Sequence, residues 1–225
     1  MISAFPMYEI SNIEHGNSAF LLMQTKTDEW YSSILQEFKN SMVECESECI
    51  EWIPPQMLSR SKATLASLSD TAKEGKLFLG QVCSLPALVY NDSFQIIASP
   101  SYDVDGCDNY FTRSVLIVRA DSIIETLEGL IRMRPYQRDL IVAVSSRTST
   151  SGCLLFAATF GRDFMDHAIE RVKFTGSHLG SIHCVSDGRA DIAAVDCVTF
   201  ATVRRYFPGN VQHWQCIVYV LNIKG

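Results

Sequence analysis

Short apolar runs alternate along this chain with longer stretches in which apolar positions recur every three or four residues. The first pattern belongs to buried strands and the second to amphipathic helices. Ile2-Ser3-Ala4-Phe5 reads as an opening strand, and residues 9–26 read as an irregular polar connection. Thr27 then offers an N-cap, Asp28 and Glu29 fill a first turn, and Trp30, Ile34 and Phe38 fall on one face of a helix over roughly residues 28–40. A strand at Cys49 to Ile53 is followed by Pro54-Pro55 and a helical pattern from Met57 to Glu74 that stops at Gly75. Leu77 to Val82 and Phe94 to Ala98 read as strands around a helical piece at Leu85 to Tyr90.

After a loop rich in Asp, Gly and Tyr (Ser99 to Asn109), the run Ser114-Val115-Leu116-Ile117-Val118 has the continuous apolarity of a parallel strand covered on both faces. Asp121 and Ser122 cap a helix through Ile131. Leu140 to Val144 is the next strand and Gly152 to His167 the next helix, with Leu154, Ala157, Ala158, Phe164 and Met165 on one face. Val172 to Phe174 and Ala190 to Val195 are further strands, the latter followed by a helix that ends before Pro208. Regular strand–helix alternation predicts an α/β protein with mostly parallel sheets. Two such runs separated by a polar loop predict two lobes, residues 1–111 with 209–225 and residues 112–208.

Composition narrows the function. The 225 residues are 47% hydrophobic, enough for a substantial core. The formal net charge is −6 and the longest basic run is Arg204-Arg205, so a nucleic-acid surface has no electrostatic support. No apolar stretch approaches the roughly 20 residues a membrane span needs. Met1 to Ile10 lacks the basic and apolar regions of a leader, which makes the cytoplasm the expected compartment, or the periplasm if the N-terminus is incomplete. Eight cysteines lie scattered with no C-x-x-C pair, and most read as reduced core residues. Cys45 and Cys49 have ligand-like spacing among acidic residues, but two ligands do not make a metal site, and no cofactor is expected.

The chemistry gathers at strand ends. In open α/β sheets the carboxyl ends of parallel strands face a crevice that helices cannot cover. Ser145 to Gly152, between a strand and a helix, is crowded with Ser and Thr hydroxyls and holds Arg147. A helix N-terminus carries unpartnered N–H groups and the positive end of the macrodipole, which suits an anion. Ser and Thr are also ordinary helix caps, so the turn alone admits a purely structural reading. The G-x-x-x-x-G-K-[ST] loop of nucleotide-binding proteins is absent. Thr175-Gly176-Ser177-His178 forms a second polar strand end and Asp196 a third. His178 and Asp196 each admit a bland reading, as a first-turn residue and an N-cap.

These residues resemble a known family, the substrate-binding components of phosphate, phosphite and phosphonate ABC transporters. The resemblance rests on Gln81 to Pro86, Tyr110 to Val115 and Ser149-Thr150-Ser151-Gly152. It rests above all on Thr175-Gly176-Ser177-His178 with Gly188 to Thr199. It implies a two-lobed type 2 periplasmic-binding-protein-like fold with mixed, mostly parallel sheets, here with a shortened C-terminus. It also implies a ligand held between the lobes: Ser149, Thr150 and Ser151 bind the oxyanion, His178 donates to it, Asp196 accepts from its protonated oxygen or from an amine, and Tyr8 approaches from the first lobe. The partners implied are a small oxyanion and an ABC-transporter permease. The chain departs from the family at Ser84, where Gly is usual, at Leu179, where a basic residue is usual, and at Ser145-Ser146, where Asn-Asp is expected. The alternatives are an enzyme on the same fold acting on a small phospho-compound, since Ser, His and Asp are all present, and a degenerate paralogue that binds nothing. Against the enzyme, the G-x-S-x-G elbow is missing.

Overall fold

The computed structural model describes residues 2–4, 18–44, 56–57, 65–109, 111–133, 140–161, 171–208 and 214–224. Tyr8, the strand at Cys49 to Ile53, Cys45, Cys49, Phe164 and Met165 lie outside the described residues. The chain divides into two compact units, residues 1–82 with 90–95 and residues 83–89 with 96–225.

The first unit contains a parallel three-stranded sheet in the order β2 (Gln56–Met57), β1 (Ile2–Ala4), β3 (Leu77–Gly80). Helix α1 runs from Ser18 to Glu44 and so begins well before Thr27. Phe20, Leu21, Leu22 and Met23 contain no breaker, and nothing stops the helix from extending back through them. Its buried face carries Tyr31, whose hydroxyl donates to Gln81 Oε1 at 3.1 Å, whereas Trp30 is exposed. Phe38 meets Phe78 of β3 edge-on at 5.8 Å. Helix α2 (Leu65–Lys73) buries Leu68 against Leu77, Val82 and Phe94. Phe94 to Ala98 is not a strand. Phe94 turns inward, but Ile96 and Ile97 are exposed and the segment pairs with no neighbour among the described residues.

The second unit is built on a mixed sheet in the order β7 (Val172–Phe174), β6 (Val142–Val144), β8 (Ile192–Asp196), β5 (Phe111–Arg119), β9 (Trp214–Lys224). Two-residue β4 (Cys107–Asp108) adds beside the start of β5. β6 is parallel to β7 and β8, but β5 is antiparallel to β4, β8 and β9, which corrects the parallel reading of its apolar run. Continuous apolarity reports burial on both faces, and it does so whichever way the neighbours run. The tail also differs from expectation: β9 (Trp214–Lys224) adds to this second sheet by pairing with β5.

Alternation along the strands assigns the two faces. On one, the cross-strand pairs Leu116/Ala194 and Val118/Ile192 pack with Val142, Val144, Ile124 and Leu130, and with Phe156 of α5 (Leu155–Phe160). On the other lie Val115, Ile117, Ala143, Ala193 and Val195. Short helices complete the unit: α3 (Ser84–Val89), α4 (Leu127–Met133), α6 (His178–Ser186) and α7 (Cys197–Tyr206). The helix expected from Gly152 begins earlier, at Thr150, with a π-helical turn over Thr150–Leu154.

Candidate anion-binding site

The apolar row on the sheet's first face turns polar at its end. Continuing Val118/Ile192 and Leu116/Ala194 by two residues brings the cross-strand pair Ser114/Asp196, both buried. Ser114 Oγ donates to the carbonyl of Ser151 at 2.8 Å, which ties the π turn to β5. Asp196 N-caps α7: its Oδ1 accepts from Thr199 N at 2.8 Å. The cap uses one oxygen only. Oδ2 is buried with no hydrogen-bond partner and lies 3.6 Å from His178 Nε2, the two side chains being 10% and 12% exposed.

His178 reaches this point because Gly176 adopts φ 83°, a left-handed conformation that glycine takes without strain, and reverses the chain after β7. The turn is stitched to the end of β6: Thr175 N donates to Val144 O and Gly176 N to Ser145 O, each at 2.9 Å. Thr175 Oγ1 lies 2.7 Å from Ser181 Oγ, and Ser177 Oγ caps α6 by accepting from Gly180 N at 3.0 Å. His178 Nε2 then stands 3.1 Å from Ser151 Oγ. The same nitrogen therefore faces both the serine and the carboxylate, and Nδ1 is buried without a partner. A serine–histidine–aspartate relay needs serine and aspartate on opposite ring nitrogens. This arrangement is not one.

The three hydroxyls expected to face a common point have separate tasks. Ser149 Oγ caps the turn by accepting from Gly152 N at 3.0 Å. Thr150 Oγ1 accepts from Leu85 N at 2.9 Å, meeting the open start of α3. Ser151 alone touches His178. Each hydroxyl that accepts still has a proton to donate. The π turn carries two bonds to one carbonyl, Cys153 N and Leu154 N both reaching Ser149 O, at 3.1 and 3.0 Å. Such turns recur at functional sites. Arg147 does not join them; it is exposed, and its guanidinium lies over the Phe174 ring, 4.7 Å from the centroid.

Four neighbours lie in stretches the sequence singled out but were not named as site residues. Ser145 Oγ is buried and unpartnered at the end of β6. Gly152 is packed so closely that a Cβ would meet Ser145 Oγ at 2.7 Å, Ser149 Oγ at 3.0 Å and His178 Cε1 at 3.1 Å. Ser114 sits opposite Asp196, and Cys83 lies beside the Thr150 backbone within reach of the Asp196 charge. Burial, followed by the Asp196 charge, pushes the Cys83 thiol up to about 11 and keeps it protonated. The antiparallel register of β5 on β8 brings Ser114 to Asp196, and the packing of α3 on the π turn brings Cys83 to the site; no local pattern reports either.

The fold is shared with solved bacterial binding proteins. A binding-protein component of an ABC phosphonate transporter from Pseudomonas aeruginosa superposes with TM-score 0.69 at 15% identity, covering 100% of this chain and 66% of its own. A Prochlorococcus marinus protein solved with methylphosphonate gives 0.62 at 17%, covering 100% and 75%. An arginine-, lysine-, histidine-binding protein from Geobacillus stearothermophilus gives 0.52 at 8%, covering 98% and 79%. The architecture is therefore that of the type 2 periplasmic binding proteins. Residues 61–211, more than half of the chain, match the model of the ABC-transporter phosphonate periplasmic substrate-binding proteins, and the chain belongs to that family. No curated protein sequence matches it. Among the described residues, no helix is long and apolar enough to cross a membrane.

Proposed function

We propose that this chain is a solute-binding protein that holds a small oxyanion, phosphate, phosphite or a phosphonate, on Ser149, Thr150, Ser151, His178 and Asp196, and delivers it to an ABC-transporter permease. Tyr8 joins the set on the resemblance alone, and the two sheets are taken as the cores of two lobes. The family's description favours the periplasm as the compartment. One observation carries the reading: His178 Nε2, Ser151 Oγ and the unpartnered Asp196 Oδ2 converge in a buried position beside the start of the helix at Thr150. A buried polar group without a partner is costly, so such an oxygen suits a ligand that donates to it.

A carboxylate accepts hydrogen bonds and donates none. It therefore favours an oxyanion that keeps a proton, or a ligand amine, and repels one fully deprotonated. Phosphate and methylphosphonate keep a proton near neutral pH; sulfate does not. A thermal-shift and calorimetry panel of phosphate, phosphite, methylphosphonate and sulfate tests this: phosphate and methylphosphonate should stabilise the protein and sulfate should not. Equal binding of sulfate and phosphate removes Asp196 from the site. Binding by none of the four supports the degenerate paralogue.

Absence of catalysis belongs to the same reading. The histidine that faces both serine and aspartate through one nitrogen lacks the relay that would activate Ser151. A panel of small phospho-esters should be recovered unchanged after incubation, and turnover that disappears in Ser151→Ala would establish the enzyme instead.

A further inference from the structure

β5 has two edges, and β9 occupies one of them along its whole length, from Phe111 opposite Lys224 to Arg119 opposite Trp214. The other edge is shared. β8 covers Ser114 to Val118, running from Asp196 back to Ile192, and β4 covers Phe111 and Thr112 with Asp108 and Cys107. β8 becomes helix α7 at Cys197, the position at which its register would place it opposite Arg113. β4 takes over the edge one residue further on, with Cys107 opposite Thr112. The backbone register thus abuts two segments 90 residues apart in sequence, and each presents a cysteine at the junction.

The two sulfurs lie 3.4 Å apart. Cys197 is completely buried and Cys107 is half-buried, so one thiol of the pair is open to a reagent and the other can be reached from its neighbour. We propose that Cys107 and Cys197 are a disulfide-forming pair that links the β4 edge to the first turn of the helix capped by Asp196. The oxidant class is a low-molecular-weight disulfide. The Cys107 thiolate attacks one sulfur of the oxidant, forming a mixed disulfide and releasing one thiol. The Cys197 thiolate then attacks the Cys107 sulfur, forming the internal bond and releasing the second. Two protein thiols are oxidised, one external disulfide is reduced to two thiols, and the two protein protons leave on the released thiols.

Burial, followed by the hydrogen bond to Cys197, pushes the Cys107 thiol up to about 12, and burial raises Cys197 as well. Few molecules carry a thiolate at neutral pH, so exchange in the folded protein is slow without a catalyst. The family's compartment, the periplasm, is one in which disulfides form and persist. Once made, the bond joins Cys197, the residue after Asp196, to a neighbouring strand, and so restrains the position of the carboxylate at the candidate site. The pair itself depends only on the register of β4 and β8 along β5 and does not rest on the ligand reading.

The test is peptide mapping of the folded full chain after incubation with oxidised glutathione, with remaining thiols alkylated in denaturant. The expected result is one dominant linked peptide pair containing Cys107 and Cys197, two hydrogens lighter than the separate peptides and released by dithiothreitol. Oxidation of the chain in guanidinium should lose this selectivity, because eight cysteines allow many pairings. In Cys107→Ser, Cys197 should remain alkylatable after the same treatment. The proposal is overturned if both thiols stay alkylatable in the oxidised wild type, if either pairs mainly with another cysteine, or if the link forms as readily in the denatured chain.

Discussion

Asp196 serves the fold with one carboxylate oxygen and faces the candidate site with the other, so a substitution that keeps its shape separates the two roles. Asn retains an oxygen that can cap Thr199 N and replaces the other with an amide donor. Asp196→Asn is expected to lower the preference for phosphate over sulfate about tenfold, equivalent to about 1.4 kcal/mol, as read by calorimetry on the two anions. An unchanged ratio in a folded variant would confine Asp196 to capping. Ser151→Ala removes the hydroxyl that touches His178. A hydrogen bond to a charged group is worth roughly 1.5–3 kcal/mol, so phosphate affinity should fall at least tenfold. Gly152 tests the packing beneath. In Gly152→Ala the new methyl must displace Ser145, Ser149 or His178, which predicts a loss of about 1–3 kcal/mol in urea unfolding together with weaker phosphate binding. Wild-type behaviour on both counts would mean that the turn accommodates the methyl freely.

At the scale of elements, the cross-strand row shared by β5 and β8 joins stability to the site. Val118/Ile192 and Leu116/Ala194 fill the core, and Ser114/Asp196 continues the same face into polar surroundings. Whatever holds the register of these two strands also holds Asp196 beneath the π turn, because a slip of one residue would send every side chain to the opposite face. Ile192 is completely buried at the far end of that row. Ile192→Ala should cost about 2–5 kcal/mol by the ordinary penalty for core truncation, measured as a lower urea midpoint with an unchanged slope. A cost below about 1 kcal/mol would show that the row is not the tightly packed support inferred here.

For the whole molecule, the useful quantity is the linkage between ligand and fold. A ligand at 100 times its Kd stabilises the native state by roughly 2.7 kcal/mol. In a protein of this size that corresponds to a rise of roughly 5–10 °C in Tm. The chain spans 66% of the length of the Pseudomonas aeruginosa protein it resembles and 75% of the Prochlorococcus marinus one. The size of the shift measures how tightly this chain holds the ligand. A shift of several degrees with phosphate or methylphosphonate and none with sulfate would establish that the described site is sufficient for selective binding.

The α/β class, the strands at Leu77, Ser114, Leu140, Val172 and Ala190, and the polar character of three strand ends were all legible in the chain. Apolar runs and cap residues are local signals, and burial and helix starts obey local rules. The motif from Gly188 to Thr199 likewise pointed to the family that the matched region establishes. Local signals failed where a partner far along the chain decided the outcome. The apolarity of Ser114 to Val118 could not say that its neighbours run antiparallel, and the strand-like apolar run Cys216 to Leu221 could not say which sheet it would join. Phe94 to Ala98 had a strand's composition and found no edge to pair with among the described residues. His178, Ser151 and Asp196 could each be named from the sequence. Their meeting on a single imidazole nitrogen, and the placing of Ser114, Ser145, Cys83 and Cys107 around them, came from strand register and helix packing. The sequence by itself determined which residues are chemically able to hold an oxyanion; tertiary structure decided which of their atoms are already committed to the fold and which remain open, because hydrogen-bond partners are assigned in space and not along the chain.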